Sequence, residues 1–160
     1  MKIAYLHGLD SNNLGPKNEW LKEISEVYDP LIDYREKNIY QKIKSRIKDF
    51  NPDIIIGSSM GGFFGYEIAK AQNIKALLFN PALHSRSFEP DMHGYVKGNF
   101  NPYMHFVLGK NDPIINPFRT IEIIKKEGYS SDNYSLLNHG HDTSITLFQS
   151  EITKYIKKKL

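Results

Sequence analysis

The sequence contains no cysteine among its 160 residues. This absence excludes disulfide bonds, thiolate metal sites and cysteine nucleophiles within the chain. No apolar run approaches the roughly 18 residues that a membrane-spanning helix needs. The first apolar stretch is too short for a secretory signal, and no small-residue cleavage site follows it. We therefore expect a cytoplasmic protein with no membrane partner.

Motifs that bind nucleotide phosphates are missing as well. The sequence has neither the G-x-x-x-x-G-K-[ST] loop nor the G-x-G-x-x-G fingerprint, and we expect no cofactor. The formal net charge is +3, with several lysines close to the last residue. We interpret these lysines as a solvated helix terminus, because they form no convincing nucleic-acid-binding stripe. Nucleic acid is therefore not an expected partner.

Strand-like and helix-like segments alternate along the chain. Three consecutive isoleucines at 54–56 suit a strand that is buried on both faces. The patterns predict strands at 2–6, 31–34, 53–57, 74–79, 103–108 and 134–137, and helices at 16–27, 36–50, 60–72, 117–127 and 143–159. The length suits a single domain, 1–160, with one core.

This alternation predicts an α/β fold with a mostly parallel sheet of about five to six strands and helices on both faces. The segment 80–102 is rich in proline and glycine and is predicted to be a short irregular excursion. In folds of this class, ligands bind outside the carboxyl ends of the strands. Candidate functional residues are therefore those that directly follow a strand.

The segment after the isoleucine strand carries the strongest chemical signal. Residues 57–61 read Gly-Ser-Ser-Met-Gly and fit the pattern G-x-S-x-G. In this pattern the central serine lies on a sharp, strained turn between a strand and a helix. Glycine is needed on both sides because a side chain there would clash with neighbouring backbone. We therefore predict that Ser59 is a nucleophile.

A serine hydroxyl needs a base, and the base needs a carboxylate that orients it. Asp112 follows the 103–108 strand in a Gly-x-x-Asp-Pro turn and is the candidate acid. His139 and His141 both follow the last strand. We favour His141 as the base because it directly follows Gly140, a small residue, and we keep His139 as the alternative. The two histidines and the adjacent aspartate could suggest zinc, but no other cluster has ligand spacing, so we expect no metal.

Three stretches of the sequence together resemble the YqiA-like small esterases of the α/β-hydrolase superfamily. They read Tyr-Leu-His-Gly-Leu-Asp-Ser at 5–11, Gly-Ser-Ser-Met-Gly-Gly at 57–62 and Phe-Asn-Pro-Ala at 79–82. The resemblance covers nearly the whole chain and implies a compact α/β-hydrolase fold without a large cap domain. It also implies an oxyanion hole formed by the backbone N–H groups of Leu9 and Met60.

The expected activity is hydrolysis of a small carboxylic ester or thioester through an acyl-enzyme intermediate. Two alternatives remain open: a non-catalytic interaction protein that retains the fold, and an acyltransferase. Phe88 and Tyr95 of the excursion are predicted to line a shallow acyl pocket, because large apolar side chains are costly to leave in water. We expect the protein to be a monomer or a small homo-oligomer.

Overall fold

A computed structural model describes residues 1–159 and arranges them around a sheet of six strands. The strands are β1 (Lys2–Leu6), β2 (Glu26–Tyr28), β3 (Ile54–Ser58), β4 (Lys75–Phe79), β5 (Met104–Gly109) and β6 (Tyr134–Leu137). The helices are α1 (Pro16–Ile24), α2 (Ile39–Phe50), α3 (Met60–Gln72), α4 (Pro117–Lys126) and α5 (Ile145–Lys159), and a 3₁₀ turn covers Ser131–Asn133.

All neighbouring strands in the described sheet are parallel, in the order β2-β1-β3-β4-β5-β6. The chain first builds outward from β1 to β2 and then returns to place β3 on the other side of β1. This reversal makes the carboxyl ends of β1 and β3 a topological switch point, where ligands of α/β folds bind. The loop that begins at His7 and the turn at Ser59 both emerge there.

Two apolar layers flank the sheet. One layer lies against α2, α3 and α4, and the other contains Leu21 of α1 and Phe148 of α5. The isoleucines of β3 alternate between them: Ile55 faces the first layer, while Ile54 and Ile56 face the second. Burial of each such side chain stabilises the fold by roughly 1.5–3 kcal/mol. The prediction of a strand buried on both faces is confirmed.

The predicted strand at 31–34 is wrong, because the second strand lies earlier in the chain. Val27, which the helical spacing assigned to the first helix, instead pairs with Ile3 of β1. The helix ends before it at Ser25, whose hydroxyl donates to the carbonyl of Leu21 at 2.8 Å. Such a local bond competes with helix continuation. The pattern at 31–34 reflects a loop that buries Ile32 and Tyr34 but leaves Leu31 exposed, and not a strand.

Two of the predicted helices begin later than the sequence pattern indicated. Helix α2 starts at Ile39 and not at 36, because Asn38 adopts a left-handed backbone with φ of 58°. Asn51 adopts the same conformation at the other end. Helix α5 starts at Ile145 and not at 143. Within residues 1–159, no helix combines the length and the apolar character that crossing a bilayer requires.

The segment 80–102 contains no helix or strand, as predicted. It runs over α2 and α3. The backbone N–H of Phe100 donates to the carbonyl of Lys70 at 3.3 Å, and the Tyr95 ring packs edge-on against Tyr40 at 5.6 Å. Gly98 lies so close to Lys70 that a Cβ there would be 2.4 Å from its carbonyl carbon. These contacts attach the excursion to the helical layer.

Candidate active site

Ser59 lies between β3 and α3 in a strained conformation, with φ of 53° and ψ of −113°. Its N–H donates to the carbonyl of Phe79, and its own carbonyl accepts from the N–H groups of Phe63 and Ala82, each at 3.0 Å. A non-glycine residue persists in such a region only where surrounding bonds hold it, and this strain is typical of functional sites.

The two glycines of the G-x-S-x-G pattern allow the turn to close. A Cβ on Gly57 would lie 2.3 Å from the carbonyl oxygen of Gly61. A Cβ on Gly61 would lie 2.0 Å from the carbonyl oxygen of Leu6 in β1. Both distances are far shorter than any real contact of a carbon atom. The turn therefore brings α3 directly against β1 and β3 and leaves Ser59 half-buried, at the wall of a cavity.

Ser59, His141 and Asp112 form a hydrogen-bonded series. The Nε2 atom of His141 is 3.0 Å from the Ser59 hydroxyl oxygen, and its Nδ1 is 2.8 Å from Oδ2 of Asp112. The Asp112 side chain is fully buried, and its Oδ1 accepts from the N–H groups of Ile114 and Ile115 at 2.8 and 2.9 Å. A neutral His141 that donates from Nδ1 leaves Nε2 free to accept the serine proton.

Asn80 connects the loops that carry these residues. It follows β4 with φ of 42°, and its side-chain oxygen accepts from the N–H of Gly109 at 2.7 Å. Its Nδ2 donates to the carbonyls of Gly140 and His141, at 3.1 and 2.8 Å. No site role for Asn80 is predicted from the sequence. One feature of the sequence could have indicated this position: an asparagine directly follows a buried strand and precedes a proline. Asparagine tolerates the left-handed backbone that such a turn requires.

The loop after β1 passes close to Ser59. A Cβ on Gly8 would be in contact with Cβ of Ser59, at 3.5 Å. His7 fixes this loop: its Nδ1–H donates to the Gly8 carbonyl at 2.8 Å, and its Nε2 accepts from the N–H of Ile32 at 2.9 Å. Burial lowers the pKa of His7, which favours this neutral form.

The two residues predicted to form the oxyanion hole follow Gly8 and Ser59 directly. Met60 is the first residue of α3, a position where the backbone N–H has no partner within the helix. Leu9 directly follows Gly8, and Gly8 and Leu9 line the cavity beside Ser59. This placement is compatible with two N–H groups facing one oxyanion, and their catalytic role stays a prediction.

A cavity of about 380 Å³ opens beside Ser59. It is lined by Tyr5, Gly8, Leu9, Ser11, Asn12, Leu14, Pro16, Lys17, Asn18, Ser58, Ser59, His141, Asp142, Thr143 and Ile145. Its walls therefore come from the loop after β1, the first turn of α1 and the segment before α5. The volume is at the small end of the range for ligand sites.

A family comparison matches almost the entire chain, from residue 2 to residue 155. The chain belongs to the uncharacterised protein family UPF0227. The resemblance to the YqiA-like proteins is thereby confirmed at the level of the family. A comparison with curated proteins finds no matching sequence.

Solved structures share the fold of this UPF0227 member. One from Xanthomonas campestris, assigned to the alpha/beta hydrolase superfamily, has a TM-score of 0.73 at 13% identity, covering 98% of this chain and 95% of that one. A SOBER1 variant from Arabidopsis thaliana has a TM-score of 0.68 at 14% identity and covers 99% of each chain. A Bacillus cereus carboxylesterase has a TM-score of 0.57 at 15% identity, covering 97% and 87%. The predicted fold class is confirmed.

His139, the alternative base, does not join the hydrogen-bonded series. Both of its ring nitrogens are buried and have no hydrogen-bond partner within residues 1–159. The ring lies against Gly109, where a Cβ would be 3.0 Å from Nδ1. The side chains of His139 and His141 therefore contact different residues, although only one residue separates them in the sequence. Within the same described residues, no three His, Asp or Glu side chains are grouped to hold a metal.

Phe88 and Tyr95, predicted to line the substrate pocket, do not line the cavity beside Ser59. The guanidinium carbon of Arg35 lies over the Phe88 ring, 5.3 Å from the centre of that ring. Tyr95 packs on α2, and burial together with the nearby carboxylate of Glu67 raises the pKa of Tyr95 to about 12. The excursion folds over α2 and α3, whereas the cavity opens beside α1 and α5.

Proposed function

We propose that this UPF0227 member is a serine hydrolase that cleaves small carboxylic esters or thioesters. The observation that carries the proposal is the series of hydrogen bonds from Ser59 to His141 at 3.0 Å and from His141 to Asp112 at 2.8 Å. A nucleophile, a base and an orienting carboxylate in this order are the parts that acyl transfer requires.

In the first half of the reaction, the hydroxyl oxygen of Ser59 attacks the ester carbonyl while Nε2 of His141 takes its proton. The negative charge that develops on the carbonyl oxygen faces the backbone N–H groups of Leu9 and Met60. The tetrahedral intermediate then collapses, the bond to the alcohol or thiol breaks, and His141 returns the proton to the leaving group. Asp112 stabilises the imidazolium that exists between these two transfers.

In the second half, water replaces the alcohol. His141 removes a proton from water, which attacks the acyl-enzyme, and the acid leaves as Ser59 regains its proton. Because Asp142 lines the cavity and is exposed to solvent, water has a path to the acyl-enzyme. This access favours hydrolysis over transfer to another acceptor. The fold shared with a Bacillus cereus carboxylesterase supports the same class of reaction.

The test is hydrolysis of p-nitrophenyl acetate and butyrate by the wild type, Ser59→Ala and Ser58→Ala. Removal of the nucleophile typically lowers kcat by about 10⁴-fold or more. Ser58 precedes the turn, and its replacement is expected to leave most of the activity. A Ser59→Ala protein that is folded, as judged by circular dichroism, and retains more than a tenth of the wild-type rate would overturn the proposal.

A further inference from the structure

One cation faces the cavity that also exposes Ser59. Lys17, in the first turn of α1, lines this cavity together with Ser59 and His141. It is half-buried, and within residues 1–159 its ammonium group makes no hydrogen bond and no ion pair. An ammonium group has three donors, and leaving them without acceptors in a partly desolvated place is unfavourable.

The surroundings of Lys17 hold its charge only weakly. Its Nζ lies 5.3 Å from the ring centre of Phe148, a distance at which the aromatic face attracts a cation. Asp142, an exposed residue on the same cavity, attracts it electrostatically without forming a bond. Burial lowers the pKa of Lys17, and the carboxylate of Asp142 opposes that shift. No described protein group therefore takes up the donors of this ammonium group, which leaves them available to an anionic group of a substrate.

The remaining cavity wall is suited to a polar molecule. Ser11 and Asn12 bring side chains that can donate and accept hydrogen bonds, while Leu14 and Ile145 supply a limited apolar surface. A deep apolar slot for a long acyl chain is not formed by these residues. At about 380 Å³ the cavity suits a small ligand.

We propose that this cavity selects small esters that carry a carboxylate group, with Lys17 as the specificity-determining counter-ion. This inference rests on the proposed function, since it names the substrate class of the same site. The carboxylate does not react; its contact with Lys17 holds the scissile ester over Ser59. The carboxylate could belong to the acyl part or to the alcohol part of the ester, and two substrate pairs distinguish these sources.

The experiment compares esters that differ mainly in the carboxylate. The first pair is the p-nitrophenyl monoester of adipic acid and p-nitrophenyl hexanoate, which have equal acyl chain length. The second pair is 3-carboxy-4-nitrophenyl acetate and 4-nitrophenyl acetate. For at least one pair, wild-type kcat/KM is expected to favour the charged ester by about tenfold, the usual effect of one charge-assisted hydrogen bond.

Variants of Lys17 test whether this preference depends on its charge. Lys17→Met should bring the ratio of charged to neutral kcat/KM close to one, and Lys17→Arg should retain it. Lys17→Glu should reverse the preference. Lys125→Met, an exposed lysine change on α4, is the matched control and should leave the ratio unchanged. A ratio near or below one for both pairs in the wild type, or a ratio unaffected by Lys17→Met, would overturn the inference.

A binding measurement separates this inference from the proposed function. Adipic acid monoamide, which carries one carboxylate, and the neutral hexanamide are titrated into the wild type and Lys17→Met by calorimetry, which needs no turnover. Binding of the monoamide that depends on Lys17, in a protein that cleaves no ester, would support Lys17 as the carboxylate counter-ion of this cavity and reject the proposed function. Cleavage of neutral esters, with neither cleavage nor binding depending on Lys17, would support the proposed function and reject this inference.

Discussion

The side-chain amide of Asn80 donates to the carbonyl oxygen of His141 at 2.8 Å. The same side chain accepts from the N–H of Gly109 at the end of β5. One residue at the end of β4 therefore fixes the start of the loop that carries Asp112 and the position of the histidine that Asp112 contacts. Asn80 touches only backbone atoms of these loops, so we regard it as a positioning residue.

Asn80→Asp tests this role. The aspartate keeps an acceptor for Gly109 but places a carboxylate against two carbonyl oxygens where an amide donated. We expect kcat for ester hydrolysis to fall by about 10²-fold with a smaller change in KM, because His141 is misplaced relative to Ser59. The free energy of unfolding should fall by about 1–3 kcal/mol.

Asn111→Asp is the control for Asn80→Asp. Asn111 is exposed, and its side chain bonds to Asn138 in the neighbouring loops without contacting His141. Its replacement should change kcat by less than about threefold, as is usual for surface positions. Equal losses of kcat in the two variants would show that Asn80 has no special positioning role.

The two histidines of the last loop should respond differently to replacement. His141→Ala removes the group bonded to both Ser59 and Asp112 and should lower kcat by about 10³-fold or more. His139→Leu replaces two buried nitrogens that lack partners, so activity should stay near wild type and thermal stability should not decrease. Paired assays and melting curves check this; loss of activity in His139→Leu with survival in His141→Ala would reverse the assignment.

Asp112→Asn should lower kcat without a comparable loss in the stability of the fold. The asparagine oxygen can still accept from the N–H groups of Ile114 and Ile115, so the turn should remain folded. Its NH₂ group would then face His141 and favour the wrong tautomer, which we expect to lower kcat by about 10⁴-fold. Asp132→Asn, at an exposed position before β6, is the control. Wild-type activity in Asp112→Asn would assign the orienting acid elsewhere.

The stability of the fold should depend on pH through His7. Burial lowers its pKa in the folded state, so the unfolded chain, with an ordinary histidine pKa of about 6.5, binds the proton more readily. The contribution of neutral His7 is fully present above that value and decreases as the pH falls towards the lowered pKa. His105 has the same sign, because burial lowers its pKa too.

His7→Gln isolates the contribution of this residue. Urea unfolding at pH 8 and pH 5 should show a larger loss of unfolding free energy on acidification for the wild type than for His7→Gln. At pH 8 the variant should be the less stable protein, because the bonds to Gly8 and Ile32 are weakened. An identical pH dependence in the two proteins would mean that His7 titrates alike in the folded and unfolded states.

The turn around Ser59 could be predicted because its determinants are local. The contacts that require glycine at 57 and 61 follow from any sharp connection between a buried strand and a helix. The parallel sheet then places the ends of β3, β5 and β6 along one edge, which accounts for the proximity of Ser59, Asp112 and His141. Their catalytic roles remain predictions.

Features that depend on packing between distant elements could not be predicted in this way. The bond from Asn80 to His141 spans 61 residues, and nothing in the local pattern indicates it. Lys17 faces the cavity because the start of α1 and the segment before α5 meet beside β1. Phe88 and Tyr95 looked like pocket residues because they are large and apolar, yet they contact Arg35 and Tyr40. The apolar character of a side chain indicates that it is covered, but it does not indicate which part of the protein covers it.

The nucleophile can be identified by labelling with a fluorophosphonate, followed by mass spectrometry of the digested protein. We expect one adduct, on Ser59, which is absent in Ser59→Ala. The chain offers an internal comparison: Ser135 is 2.8 Å from Nε2 of His105, but it lies within a strand and not on a strained turn. An adduct on Ser135 or Ser58, or no adduct on the folded wild type, would contradict the assignment of Ser59 as the nucleophile.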